Sequence, residues 1–267
     1  MTTKIMGILN ITPDSFSDGG KFFDPAAALA QAEKMIADGA DIVDIGGEST
    51  RPSATPVSSV DELARVIPVI DALRKNPKNS ALVISIDTQK PEVAEAALAH
   101  GANMVNDVTG LRDPAMRAVV AQHNVPVVIM HMQGEPRTMQ KDPNYGDVVK
   151  EIKTFFTGRV AEAEAAGIAR ANIILDPGIG FGKTVEHNLL IIKHLREFVA
   201  LGFPVLVGPS RKSFIGTLSG GLAVEERLEG TLAAVAVAIM NGASIVRVHD
   251  VKEAKRVVQI VDAILSA

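Results

Sequence analysis

The chain contains no cysteine, which excludes disulfides, zinc–thiolate sites and a cysteine nucleophile. It also lacks a long apolar run. The longest lies near Leu232 to Met240, well short of the roughly 20 residues that span a bilayer, so no membrane partner is expected. No basic region followed by an apolar stretch precedes the first strand-like segment. A signal peptide is therefore not expected, and a cytoplasmic protein is. Strong charge of either sign is missing too. The net charge is −4, with no basic stripe that would fit nucleic acid, so an anionic ligand would need a local basic pocket. No Pro-, Ser- or Gly-rich linker and no shift in composition divides the chain, and residues 1–267 read as a single domain.

What is present points to a large core. Hydrophobic residues make up 47% of the chain and charged residues 22%, a balance that argues against disorder. A length of 267 residues suits an α/β barrel, which runs to about 250 residues. Short β-branched runs predict strands at Ile5 to Asn10, Ile42 to Gly46, Leu82 to Asp87, Met104 to Asp107, Val127 to His131, Ile173 to Asp176, Val205 to Val207 and Ile245 to His249. Alanine-rich segments with helical spacing lie between them, among them Ala26 to Ala37, Val60 to Leu73 and Asn188 to Val199. Gly39-Ala40, Gly101-Ala102 and Gly242-Ala243 each stand between a helix end and a strand, where glycine supplies a left-handed cap. Eight strands alternating with helices predict a single (β/α)8 TIM barrel, with a doubly wound open sheet as the nearest rival.

The polar residues fall at the strand ends: Asn10; Glu48; Asp87; Asn106 and Asp107; His131; Asp176; Ser210 to Lys212; Arg247 and His249. In a barrel of this kind those positions form the catalytic mouth. Phe16 sits in the otherwise polar loop after Asn10, which suits a mobile lid. Gly46 to Pro52 reads either as a surface loop or as a ligand loop, with paired glycines that admit close approach and an Arg51 fork for phosphate. Asp87 reads as a helix N-cap or as a ligand-binding acid. With Asp176 and Asn106 it would make a donor/acceptor set for a flat heterocycle. Ser210 to Ser213 is a basic exposed turn or an anion site at a helix start. Arg247 and His249 share a strand face and would form a cationic clamp if that face is the mouth.

Gly182-Lys183-Thr184 imitates the end of a nucleotide-binding P-loop. Pro177 occupies the place of its first glycine, and Lys183 that of the third glycine of the dinucleotide fingerprint. ATP and NAD are rejected on that ground. The histidines show no His-Glu-x-x-His spacing, and His187 and His194 read as one solvated helix side. A magnesium ion, which takes few protein ligands beside substrate phosphate, is compatible with the sequence.

Taken together, Gly7 to Gly20, Gly46 to Pro52, Ser85 to Thr88, Asn106 to Val108, Met130 to Gly134, Leu175 to Lys183, Ser210 to Ser213 and Arg247 to Asp250 resemble the dihydropteroate synthases, in the correct order and over nearly the whole chain. The resemblance implies a transferase of folate biosynthesis. It would join p-aminobenzoate to 6-hydroxymethyl-7,8-dihydropterin pyrophosphate, release pyrophosphate, and bind sulfonamides as competitors. It implies that Asn10 binds Mg2+ carried with the pyrophosphate, and that Arg247 and His249 hold the pyrophosphate. Asp87, Asn106 and Asp176 would bond the pterin ring, with the Lys212 stem over it. Phe16, Thr50, Arg51, Pro52 and Phe181 would form the p-aminobenzoate pocket, Ser213 would meet its carboxylate, and Asp18 would order the first loop. Asp87, Lys212, Arg247 and His249 are the implied catalytic set. A homodimer through the late helices is implied as well. Two other readings share the pterin-binding acids: a methyltetrahydrofolate-binding barrel serving a corrinoid protein, and a catalytically silent pterin-binding protein.

Overall fold

Period-two alternation along eight short strands decides the architecture. The computed structural model describes residues 2–12, 24–49, 54–135 and 138–267. Phe16, Asp18, Thr50, Arg51 and Pro52 lie outside the described residues. The strands are β1 (Lys4–Asn10), β2 (Ile42–Gly46), β3 (Val83–Asp87), β4 (Met104–Asp107), β5 (Val127–Met130), β6 (Ile173–Asp176), β7 (Leu206–Val207) and β8 (Ile245–Val248). All pairings are parallel, in the order β6-β5-β4-β3-β2-β1-β8-β7. A bridge between Leu175 and Val205 joins the two ends. The sheet is therefore a (β/α)8 barrel, and the open-sheet rival is excluded.

Around it run α1 (Pro25–Ala37), α2 (Ser59–Lys75), α3 (Pro91–Ala99), α4 (Pro114–His123), α5 (Val148–Ala165), α6 (Val185–Lys193), α7 (Arg196–Val199), α8 (Ser213–Leu218), α9 (Leu228–Met240) and α10 (Val251–Ser266). Side-chain caps from Asp24, Ser58, Asp113, Asp147 and Thr184 start five of them, each satisfying a backbone N–H that the first turn leaves over. The predicted glycine caps hold: Gly39, Gly101 and Gly242 have φ of 101°, 108° and 97°. None of the described helices is long and apolar enough to cross a membrane.

The predicted helix Asn188 to Val199 is two helices. α6 starts earlier, because Thr184 and His187 form a reciprocal capping box, and it ends at His194 before α7 begins. His187 and His194 are thus one cap residue at each end of α6 rather than neighbours on a continuous helix side.

Alternate residues of each strand face opposite ways. One set, with Leu9, Val43, Ile86, Val105, Ile129, Leu175 and Val246 among it, joins the core beneath the helices. The other set begins with Met6, Ile42, Val83, Met104, Val128, Ile174, Leu206 and Ile245, one from each strand, which pack as a separate apolar cluster. This ring fills the barrel interior. One step up, the inward positions of five strands become polar, at Asp44, Ser85, Asn106, Asp176 and Arg247, while β1, β5 and β7 continue with Ile8, Met130 and Gly208. The barrel is thus apolar below and polar above.

Met104→Ala, at a side chain only 1% exposed, should leave a cavity in the ring and cost about 2–5 kcal/mol. Denaturant unfolding would read this as a lower midpoint, and ligand affinity at the mouth should be retained.

Candidate active site

Above the apolar ring the barrel opens into a cavity of about 1160 Å³. The same space runs on past the mouth to Gln31, Lys34 and Asp38 of α1 and Glu253 of α10. Asn10, Asp87, Asn106, Asp176, Phe181, Lys212, Ser213, Arg247 and His249 all line it. Nine residues singled out in the sequence, spread over six strands and the loops after them, converge on one space.

Its floor is an ionic network. Arg247 donates from Nε to Asp44 at 2.7 Å and from Nη2 to Asp87 at 2.6 Å. Asn106 donates to the same Asp44 oxygen at 3.0 Å, which fixes the orientation of its amide. Asp87 is therefore not a helix cap. Lys90 takes the N-cap position of α3, and the Asp87 carboxylate turns inward to Arg247. Burial raises this carboxyl to about 7, against the pull of Arg247. Asp176 accepts from the Gly178 N–H at 2.7 Å, and burial raises it to about 6, opposed by that N–H and by Arg247, Lys212 and Lys183.

Asp44 is the residue that sequence reading missed. It is 0% exposed, and the signal was there: a carboxylate in the middle of Ile42-Val43-Asp44-Ile45-Gly46 has no reason to be in a buried strand unless it is paired. Among the described residues, Asp44 Oδ1, Glu62 Oε1, Ser85 Oγ and Asn106 Oδ1 are buried without a hydrogen-bond partner. Each such atom costs about 1–3 kcal/mol. Asn106 is the one of these four residues that lines the cavity, so its amide oxygen is the acceptor at hand for a polar occupant.

The wall from β7 and β8 carries positive charge. Lys212 Nζ stands 4.0 Å from the centroid of the Phe181 ring. Arg211 pairs with Asp250, its Nε 3.0 Å from Oδ2. With no anionic ligand beside it, burial, then Arg247 and Arg211, push the His249 imidazole down to about 3. Ser210 Oγ lies 2.9 Å from His249 Nδ1 and accepts the His249 backbone N–H at 3.1 Å. The hydroxyl keeps its own O–H to donate to Nδ1, and in the tautomer that accepts it Nε2–H is a neutral donor. The formal charge at this wall lies on Arg247, Arg211 and Lys212.

Two other strand ends serve the scaffold. Asp107 accepts from Thr109 N, Thr109 Oγ1 and Leu111 N. Gly47 was read as an approach point for ligand, yet a Cβ there would lie 2.9 Å from Glu62 Cγ and 3.0 Å from Val66 Cγ1, so its missing side chain lets the chain pack on α2.

For a divalent cation, the described residues hold no group of three acids or histidines. Asn10 offers one neutral amide oxygen at the mouth. That donor set would fit a hard cation only if a phosphate-bearing ligand supplied most of the coordination.

Residues 6–249 match the model of a family described as pterin binding enzyme. The chain belongs to the pterin-binding enzyme family. A dihydropteroate synthase of Synechocystis sp. is 50% identical over 98% of this chain and 90% of that protein. Among solved structures, the Yersinia pestis dihydropteroate synthase in a sulfonamide drug complex superposes with a TM-score of 0.93, at 44% identity, covering 100% of this chain and 95% of that one. The Xanthomonas albilineans dihydropteroate synthase with 4-aminobenzoic acid gives 0.92 at 45% identity, covering 100% and 94%.

Because burial raises Asp176, its ionised form costs folding stability. The folded value, about 6, lies above that of the unfolded chain, so stability falls as pH rises from the unfolded to the folded value and stays lower above it. Asp176→Asn, which keeps an acceptor for Gly178, should therefore melt at or above the wild-type temperature at pH 8, and gain nothing near pH 4. A variant that melts lower at both pH values would refute the assignment.

Proposed function

We infer that the chain catalyses the dihydropteroate synthase reaction. As a transferase, it joins p-aminobenzoate to 6-hydroxymethyl-7,8-dihydropterin pyrophosphate, giving 7,8-dihydropteroate and pyrophosphate. The observation that carries this is the convergence of Asp87, Asn106, Asp176, Lys212 and Arg247 on one cavity, in a chain whose relatives of that name match it end to end. The methyl-transfer and silent-binder readings have no comparable support.

The residue roles below are our proposal. Asp87, Asn106 and Asp176 accept and donate along the edge of the pterin, and the Lys212 stem covers its face. The bond from the pterin methylene to oxygen breaks with its electron pair on pyrophosphate. Arg247 and the His249 Nε2–H stabilise that charge in a low-dielectric site. The two carboxylates favour the positive charge left on the pterin. The aryl amine then forms the new carbon–nitrogen bond and loses a proton. Phe181 and Ser213 stand at the outer part of the cavity, where p-aminobenzoate or a competing sulfonamide would bind. Phe16, Asp18, Thr50, Arg51 and Pro52 are assigned to that subsite from sequence alone. Asn10 would hold Mg2+ that arrives with the pyrophosphate, where the ion would add charge stabilisation to the leaving group.

A homodimer through the late helices fits the outer face of the barrel. Val237 and Met240 on α9 and Ile260 and Ile264 on α10 are 47%, 41%, 64% and 60% exposed, on helices that pack together. Light scattering should return twice the mass of the chain; a monomer mass at micromolar concentration would remove this assignment. A pyrophosphate ester does not cross membranes unaided, which supports a cytoplasmic setting.

Mixing the protein with the pterin pyrophosphate, magnesium and p-aminobenzoate should release pyrophosphate and form dihydropteroate. Asp87→Ala should abolish product, and Asp176→Ala should weaken pterin binding by about 1–3 kcal/mol. Pterin binding without product in the wild type would mean a binding or methyl-transfer protein instead.

A further inference from the structure

Lys183, the residue that makes the false P-loop, has no part in the chemistry above. It is only 3% exposed, a rare place for an ammonium unless it is fully paired. Its Nζ lies 2.9 Å from the Phe181 carbonyl oxygen, 3.1 Å from His131 Nδ1 and 3.3 Å from the His131 carbonyl oxygen. Three acceptors match the three N–H bonds of a charged lysine. His131 is suited to accept, since burial, then Lys183 and Arg112, push its imidazole down to about 3. This is why a polar strand end that the sequence placed at the mouth does not line the cavity.

The segment after β6 lies hard against the end of β5. A Cβ on Gly178 would stand 2.0 Å from the His131 carbonyl oxygen, and one on Gly182 2.6 Å from that of Gln133. The same Gly178 Cβ position is 3.4 Å from Lys183 Nζ, and the Gly178 N–H donates to Asp176. The ammonium thus sits directly behind the acid of the cavity floor. On its other side it holds the carbonyl of Phe181, whose ring meets Lys212.

We propose that Lys183 is a positioning residue for the reaction: its ammonium ties the Phe181 carbonyl to the end of β5 and gives Asp176 a buried counter-charge. The proposal rests on the pterin reading of the mouth and deepens it. Asp176 faces Arg247 from β8, Lys212 from the segment after β7, and Lys183 and the Gly178 N–H from its own segment. Lys183 faces Asp176, Lys212 and the neutral His131, with Arg112 beyond it; burial, then Lys212, pull its ammonium down to about 7, and Asp176 opposes that fall. Loss of the ammonium removes one of three cations that keep Asp176 ionised and able to accept from a pterin.

The test is calorimetric binding of the pterin pyrophosphate with magnesium from about pH 5 to 9, for wild type, Lys183→Met and Lys183→Gln. Both variants should bind the pterin about tenfold more weakly at neutral pH, and the pH below which affinity is lost should move upward in both. KM for p-aminobenzoate should rise more in the Met variant than in the Gln variant, because a glutamine amide can still donate to the Phe181 carbonyl. Unchanged affinity and an unmoved acid limb, even with a lower melting temperature, would make Lys183 a packing residue and overturn the proposal. A wild type that binds no pterin would overturn the functional reading as well, so the two failures are distinct. Should neither variant fold, the wild type decides through the carbon-13 shift of the Lys183 Cε in the pterin complex. An ammonium at pH 7 supports the proposal and a neutral amine sinks it.

Discussion

Arg247 held between Asp44 and Asp87 is the interaction on which the site depends. It joins β8 to β2 and β3, and the bond from Asn106 to the same Asp44 oxygen brings in β4. Four strands thus share one buried ionic cluster. Such clusters add little net stability, because desolvation offsets the attraction, whereas removing one member costs about 3–5 kcal/mol. The orientation of Asp87 is a consequence of this pairing, and so is the placement of the guanidinium at the cavity floor.

The segment after β7, beside Arg247, is braced in another way. Arg211 adopts a left-handed backbone, φ 57°, that a non-glycine residue takes only when its surroundings hold it there. Thr231 Oγ1 accepts its N–H, Arg227 donates to its carbonyl, and Asp250 takes its guanidinium. Lys212 and Ser213 follow directly from that fixed point. The cations of the mouth are therefore placed by the scaffold in advance, and a ligand need not order them, which lowers the entropic cost of binding.

Much of this was legible in the sequence because short β-branched runs stand apart from alanine-rich segments of helical spacing. Those runs located all eight strands within a residue or so at their ends, and the polar strand ends located the mouth. What the sequence could not show was which way each polar group would be satisfied. Asp87 and Asp107 look alike as strand-end acids. One turns to Arg247 while the other is consumed by its own turn. Asp44 escaped notice because a strand interior is normally read for its apolar residues. His249 reads from spacing only as a partner of Arg247, while burial and that same neighbour push its imidazole down to about 3 in the absence of an anionic ligand. Whether a side chain carries charge depends on contacts made across the barrel, and spacing along the chain does not contain them.

The ring of eight apolar side chains beneath the cavity has a consequence for traffic. It plugs the barrel from below, so nothing enters or leaves along the barrel axis on that side. Whatever lies against Asn106 and Asp176 therefore arrives and departs from the open side, which Phe181 and Ser213 also line.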